Sequence, residues 1–285
     1  MSSPSILRPP HPLLVDPIVR RALEEDLGRA GDLTTDLLIP PDQPAEARLV
    51  VRAAGTLAGI ICADRAFRLV DGNVRVAAHA PDGARVNAGD TIAAVAGPAR
   101  ALLTGERVAL NFLGHLSGVA TATRALVDAV DGTGARIVCT RKTMPGLRIL
   151  EKYAVRCGGG FNHRFGLDDA VLIKDNHVAA AGGLRNAVER ARHALGHMAV
   201  LELEVGTLDE LDEALSLGVG SILLDNMSPH LLRRAVELSA GRAILEASGG
   251  ISLANVRAVA ETGVNYISSG AITHSSPGLD VALDF

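Results

Sequence analysis

The chain has 285 residues, a formal net charge of -4, 48% hydrophobic and 2% aromatic residues, and no tryptophan. The mildly acidic balance excludes a face basic enough to track a nucleic-acid backbone, and no apolar run approaches the roughly 20 residues that span a bilayer. Cys62, Cys139 and Cys157 are widely spaced without a Cys-x-x-Cys pair, which excludes a disulfide framework and a zinc site and points to a reducing compartment, the cytoplasm.

Residues 1–15 are Pro-rich and read as an extended arm, without the apolar run of a signal peptide. Asp16-Pro17 reads as a helix start, with Asp as cap and Pro at the first helical position, and Gly28 closes that helix. The GDLTTD stretch at 31–36 reads as a turn. From 47 to 103, ARLVVRAAGTLAGI, NVRVAAHAPDGARV and DTIAAVAGPARALL are short β-prone runs separated by turns such as Pro81-Asp82-Gly83. They predict a small antiparallel sheet covered on one face by helices. Thr104 is placed as the cap of the next helix, with Glu106 in its first turn, where a negative charge suits the dipole. Ala109, Phe112, Leu116 and Val119 repeat at helical spacing, and Gly114 and Gly118 leave room for another backbone. This helix is read as the bridge between two domains.

Beyond 134 the pattern alternates. Strands are predicted at 136–140, 170–174, 199–205, 221–226, 243–248 and 266–269, with helices between them. Thr207 with Glu210 forms a capping box, and Ser228-Pro229 and Ser252 open further helices. Parallel strands alternating with amphipathic helices predict an α/β barrel. About six strands, and one more near Phe161, fall short of the eight of a closed barrel, so the barrel is expected to be open.

Barrel enzymes hold their sites at the C-terminal ends of the strands. Arg141, Lys142, His163, Arg164 and Lys174 stand at the ends of successive elements and carry almost only positive charge, in a chain that is acidic overall. That pattern suits a small ligand with several negative charges. Arg matches planar carboxylates and Lys matches phosphates, so two carboxylates plus phosphates fit best. Ser248-Gly249-Gly250 and Ser268-Ser269-Gly270 end two consecutive strands, where backbone N–H groups can approach a phosphate; a plain turn is the competing reading of either one alone. Glu204 and Asp225 end adjacent strands, and alternation puts Glu202 and Glu204 on one face. They would hold ribose hydroxyls or Mg²⁺ bridging phosphates, or else pair with Lys142 or Lys174. Lys174 could instead be a Schiff-base amine, giving a lyase. A binding protein that senses a phosphorylated metabolite is a third reading. His274 is placed at the pocket rim; His79, His115, His193, His197 and His230 read as surface or packing residues.

GDLTTD, ERVALNFLGHLSGVAT, TRKTMPGLR, EKYAVRCGGGFNHR, LIKDNH, ELEV, LLDN, EASGGI and GAITHS follow one another from 31 to 275. Together they resemble the quinolinate phosphoribosyltransferase family, with TRKT, RCGGGFNHR and IKDNH the specific parts. The resemblance implies an α/β chain with an N-terminal α/β sandwich domain over 1–115, on which the tail 276–285 packs, and an open α/β barrel of about six or seven parallel strands over 116–275. It implies transfer of the phosphoribosyl group of phosphoribosyl pyrophosphate (PRPP) to quinolinate with decarboxylation, giving nicotinate mononucleotide, pyrophosphate and CO₂ in NAD biosynthesis. It implies a homodimer in which Arg107 is donated across the interface, with neither nucleic acid nor membrane as partner. Arg141, His163, Arg164 and Lys174 would bind quinolinate, and Lys142 would serve both substrates. Glu204 and Asp225 would lie near the ribose and Mg²⁺, with Ser248, Gly249, Gly250, Ser269 and Gly270 near phosphate and His274 beside them. Lys142, Lys174, Glu204 and Asp225 are the expected catalytic set. Cys139 departs from the acidic residue that often precedes TRKT, and its side chain is expected beside the pocket without direct chemistry.

Overall fold

A computed structural model describes residues 7–285; the first six residues of the Pro-rich arm lie outside the described residues. The chain divides into two compact units. The first comprises residues up to 124, 143–159 and 275–285; the second comprises 125–142 and 160–274. By contacts, 116–124 and 143–159 thus go with the first unit.

In the first unit α1 (Pro12–Leu27) starts before Asp16, with His11 as its cap: Nδ1 accepts from the Leu13 N–H at 3.2 Å. Pro12 takes the first helical position, where its missing N–H costs nothing. Asp16 is not a cap but the bidentate partner of Arg65, at 2.6 and 2.7 Å. The GDLTTD turn is a short helix, α2 (Leu33–Leu38), capped by Asp32, whose Oδ1 accepts from the Thr35 N–H at 3.0 Å. Its other oxygen accepts from Thr104 Oγ1 at 3.0 Å. Hydrogen bonding from Thr35 first, and from Thr104, holds the Asp32 carboxyl below its ordinary value. Thr104 is therefore a partner of that cap, not the start of its own helix.

Next come β1 (Pro44–Val51), β2 (Gly55–Thr56), α3 (Ile60–Val70), β3 (Arg75–Ala78), β4 (Arg85–Val86) and β5 (Thr91–Pro98). The sequence reading missed α3. Its buried residues Cys62, Ala63, Ala66 and Phe67 recur at helical spacing, but small side chains hid the period. One antiparallel sheet runs β12–β1–β5–β3, where β12 (Val281–Asp284) returns from beyond the barrel to pair with β1. The long helix α4 (Ala99–Ala129) begins before Thr104 and ends past the division between the units. Its glycines receive the tail. Leu279 N–H donates to the Gly114 carbonyl at 2.9 Å, and a Cβ at Gly118 would run into the Pro277 carbonyl.

α5 (Arg148–Cys157) also belongs to the first unit. Its Glu151 is fully buried: one oxygen meets His115 Nε2 at 2.7 Å and the other accepts from the Met144 N–H at 3.1 Å. His115 is thus the partner of a buried carboxylate rather than a packing residue. A buried carboxylate needs such partners, because its desolvation is otherwise uncompensated.

The second unit carries β6 (Arg136–Val138), β7 (Ala170–Ile173), α6 (Asp175–Ala181), α7 (Leu184–Ala194), β8 (Val200–Val205), α8 (Leu208–Ser216), β9 (Ser221–Asp225), α9 (Pro229–Ser239), β10 (Ile244–Ser248), α10 (Val256–Ala260), β11 (Tyr266–Ser268) and α11 (Ala271–His274). The strands form one six-stranded parallel sheet in the order β6–β11–β10–β9–β8–β7. Central strands such as β9, with Ile222, Leu223 and Leu224 all buried, are covered on both faces. The seventh strand near Phe161 is a single bridge: Phe161 N–H donates to the Ile137 carbonyl at 2.8 Å and Cys139 N–H to the Phe161 carbonyl at 3.1 Å. β6 and β7 are the two ends of the sheet, so the barrel is open. Thr207 with Glu210 caps α8 and Ser228 caps α9 as expected, while the helix assigned to Ser252 starts only at Val256.

Candidate active site

The strands' C-terminal ends present the polar groups in register, with Asp225 of β9 opposite Ser248 of β10 and Glu204 of β8 opposite Leu223 of β9. Lys174, just past β7, places Nζ 2.5 Å from Glu204 Oε2. The ion-pair reading of Glu204 is therefore realised. The amine is engaged with a carboxylate rather than standing in an apolar pocket, which removes the argument for a Schiff-base lysine. Lys174 is also the cap of α6, where its N–H donates to His177 Nδ1 at 3.0 Å. This fixes the backbone from which the ammonium projects.

Lys142 is held from both sides. Its N–H donates to Thr140 Oγ1 at 2.9 Å, and its carbonyl accepts from Thr273 Oγ1 at 2.7 Å. Its side chain passes over Gly270, where a Cβ would stand 2.9 Å from Lys142 Cδ and 3.3 Å from the His274 ring. Gly270 is thus needed for the close approach of Lys142 and His274. At the neighbouring turn, a Cβ on Gly249 would overlap Asn226 Oδ1, and Gly249 lies at φ +100°, which L side chains rarely adopt. Asn226 itself is left-handed, at φ 53°, and its N–H donates to the Ser248 carbonyl at 2.9 Å. Ser269 is buried, and its hydroxyl donates to the Ile251 carbonyl at 3.5 Å, so it ties the two glycine turns together. Asp225 accepts from Asn226 Nδ2 at 2.7 Å.

Arg141 and Arg164 carry like charges that act on one another. Burial first, and then the charge of Arg141, push the Arg164 guanidinium below its ordinary value. Arg164 Nη1 also donates to the Ala170 carbonyl at 3.0 Å. Two cations that repel one another are stabilised when an anion lies between them. His163 behaves differently. Its Nδ1 accepts from the Arg164 N–H at 2.7 Å and its Nε2 lies 2.8 Å from Glu202 Oε2. Glu246 lies beyond, with Oε1 3.8 Å from the same Nε2. Burial, and then the neighbouring Glu202, push the Glu246 carboxyl up to about 7. The sequence reading quoted Glu246 only within a motif and placed Glu202 only on a face. Neither was joined to His163, because three separate elements must fold to bring them together.

Cys139 is fully buried and its Sγ meets Asn162 Oδ1 at 3.4 Å. Arg107 is not in the barrel unit. It lies on α4, its side chain 65% exposed and its Nη2 4.0 Å from Glu106 Oε1. Glu204 and Asp225 are hard oxygen donors suited to a Mg²⁺ that keeps most of its shell from phosphates and water. Among the described residues, no helix is long and apolar enough to cross a membrane.

Comparison with known proteins matches two consecutive parts of the chain. Residues 32–117 match the quinolinate phosphoribosyl transferase N-terminal domain, and residues 119–284 match its C-terminal domain. A probable nicotinate-nucleotide pyrophosphorylase [carboxylating] of Bacillus subtilis is 47% identical over 91% of this chain and 89% of its own length. The nicotinate-nucleotide pyrophosphorylase [carboxylating] of Mycobacterium leprae is 46% identical over 93% of this chain and 95% of its own. The crystal structure of NadC from Streptococcus pyogenes superposes with a TM-score of 0.93 at 40% identity, covering 96% of this chain and 97% of that one. With both halves of the chain matched, in order and nearly end to end, this protein belongs to the quinolinate phosphoribosyltransferase family.

Proposed function

We propose that the barrel mouth binds quinolinate and PRPP together and transfers the phosphoribosyl group to the pyridine nitrogen, releasing pyrophosphate and then CO₂ to leave nicotinate mononucleotide, a step of NAD biosynthesis. The observation that supports this reading is that the part-buried Arg164 guanidinium feels the like charge of Arg141. Two guanidinium groups sharing a site match a ligand with two adjacent carboxylates, and each can grip one in a fork. Lys174 completes the cationic wall from the end of β7.

The remaining residues take the sugar and phosphates. Lys142 and the backbone N–H groups at Gly249, Gly250 and Gly270 hold phosphate oxygens, with Ser248 and His274 beside them. Glu204 and Asp225 hold the ribose hydroxyls and face the positive charge that grows on the sugar carbon as the C–O bond to pyrophosphate breaks. They are also the residues that would hold Mg²⁺, which when bound neutralises charge on the leaving pyrophosphate. The ring nitrogen then forms the new C–N bond with its lone pair. Once quaternised, the ring accepts the electron pair left when the carboxylate next to the nitrogen departs as CO₂, and a proton from solvent fills that carbon. No side chain acts as a nucleophile; orientation and electrostatics supply the rate.

The reading is tested with quinolinate and nicotinate in parallel, each with PRPP and Mg²⁺, following nicotinate mononucleotide and CO₂. Product with equimolar CO₂ from quinolinate alone is expected. Turnover of nicotinate alone would remove the dicarboxylate assignment.

The working unit in this proposal is a homodimer in the cytoplasm. Cys62, Cys139 and Cys157 are all buried. Arg107, exposed on α4, reaches the quinolinate of the neighbouring subunit. Co-refolding inactive Arg107→Ala subunits with inactive Lys174→Ala subunits should restore up to about a quarter of full activity, because a mixed dimer contains one intact site. Mixed dimers that form and stay inactive would place Arg107 in its own subunit's site or outside catalysis.

A further inference from the structure

His163, Glu202 and Glu246 bring a ring nitrogen and two carboxylate oxygens within 4.8 Å of one another, a grouping that would attract a cation. The hydrogen bonds argue for a different role. His163 Nδ1 accepts the Arg164 N–H at 2.7 Å, so its lone pair is used and the ring proton must sit on Nε2. Nε2 then donates to Glu202 Oε2 at 2.8 Å and has no lone pair left for a metal. The other oxygen of Glu202 accepts from Ser221 Oγ at 3.0 Å, so the carboxylate is fixed at both ends. The trio lines a cavity of about 290 Å³ bounded by Val200, Ser221, Ile244 and Tyr266, the first residues of β8, β9, β10 and β11. Arg164 lines the same cavity and its Nη1 reaches the Ala170 carbonyl there, so Glu202 and Glu246 stand beside the guanidinium end of that arginine.

We propose that Glu202 is a positioning residue for the quinolinate end of the site: it anchors the His163 ring, and through that ring it fixes the backbone from which Arg164 presents its guanidinium. The chain of contacts is continuous. Ser221 and Glu202 hold His163, His163 holds the Arg164 N–H, and Arg164 spans to the start of β7 through its bond to the Ala170 carbonyl, at 3.0 Å. Glu246 backs this anchor. Its Oε1 is buried and accepts no hydrogen bond among the described residues. Burial, and then the neighbouring Glu202, favour its protonated form, which keeps a second negative charge from accumulating beside an anion pocket. The role rests on the reading of Arg164 as a quinolinate ligand.

The test measures KM for quinolinate, KM for PRPP and kcat in wild type, Glu202→Ala and Glu202→Gln. Glu202→Ala should raise the quinolinate KM about tenfold or more and leave the PRPP KM within twofold, since a small misplacement of an orienting group is costly. Glu202→Gln keeps an oxygen to accept from Nε2–H and should recover most of the loss. Independently of any variant, ring nitrogen NMR of the wild type should show the His163 proton on Nε2. A proton on Nδ1, a quinolinate KM unchanged in Glu202→Ala, or a parallel rise of both KM values in the two variants would overturn the anchor. Failure of the wild type to consume quinolinate at all would instead defeat the reading of the pocket on which the anchor rests.

Discussion

Lys174→Ala should lower kcat by about 10²- to 10³-fold while leaving the thermal unfolding midpoint within a few degrees of wild type. Removing one preorganised electrostatic group from a reaction centre costs about that much. Here the loss is compounded. Lys174 Nζ stands 2.5 Å from Glu204, whose side chain is only 14% exposed, so truncation leaves a sheltered carboxylate without its cation beside two anionic substrates. Like charges gathered there repel both ligands. Lys174→Arg keeps the charge but not the compact geometry, and should recover only part of the rate. Steady-state assays with both substrates saturating decide the matter. A Lys174→Ala enzyme within threefold of wild type would mean that the pair is structural.

Arg164→Ala should act on a different quantity. Losing one partner of a desolvated charge pair costs about 2–5 kcal/mol, or about 30-fold and upwards in affinity. The rise should appear in KM for quinolinate and leave KM for PRPP almost unchanged. The destabilising proximity of Arg141 is relieved in the free variant, so no loss of fold is expected. A normal quinolinate KM would show that Arg141 alone recognises the ring carboxylates.

Parts of this site were readable before folding. Arg141, Lys142 and Lys174 follow apolar strands, and the strands of the sheet are parallel, so their placement at the same end of it followed from topology. The Lys174–Glu204 pair was among the readings of the sequence because both residues close neighbouring strands. His163 was read with the cations of the pocket. Nothing local tells that its ring turns to carboxylates on β8 and β10, or that its other nitrogen takes the next residue's N–H. The fold was legible where side chains are large and periodic, as in β8 to β10. It was obscured where they are small, as in α3, and where a proline inside a helix mimicked a start, as at Pro17. The placement of 143–159 with the first unit rests on contacts such as Tyr153 to Asp82, at 2.8 Å, which join residues far apart in the chain and leave no local trace.

The return of β12 to β1 has a consequence for how the polypeptide is made. The sheet of the first unit lacks an edge strand until the entire barrel has been synthesised, and the grooves at Gly114 and Gly118 wait for the same segment. The amino-terminal half therefore leaves the ribosome with an unpaired β1 edge, the kind of surface that recruits foreign strands. Its partner is the stretch of its own chain that emerges after the barrel, so the earliest-made sheet is among the last parts of the molecule to be finished.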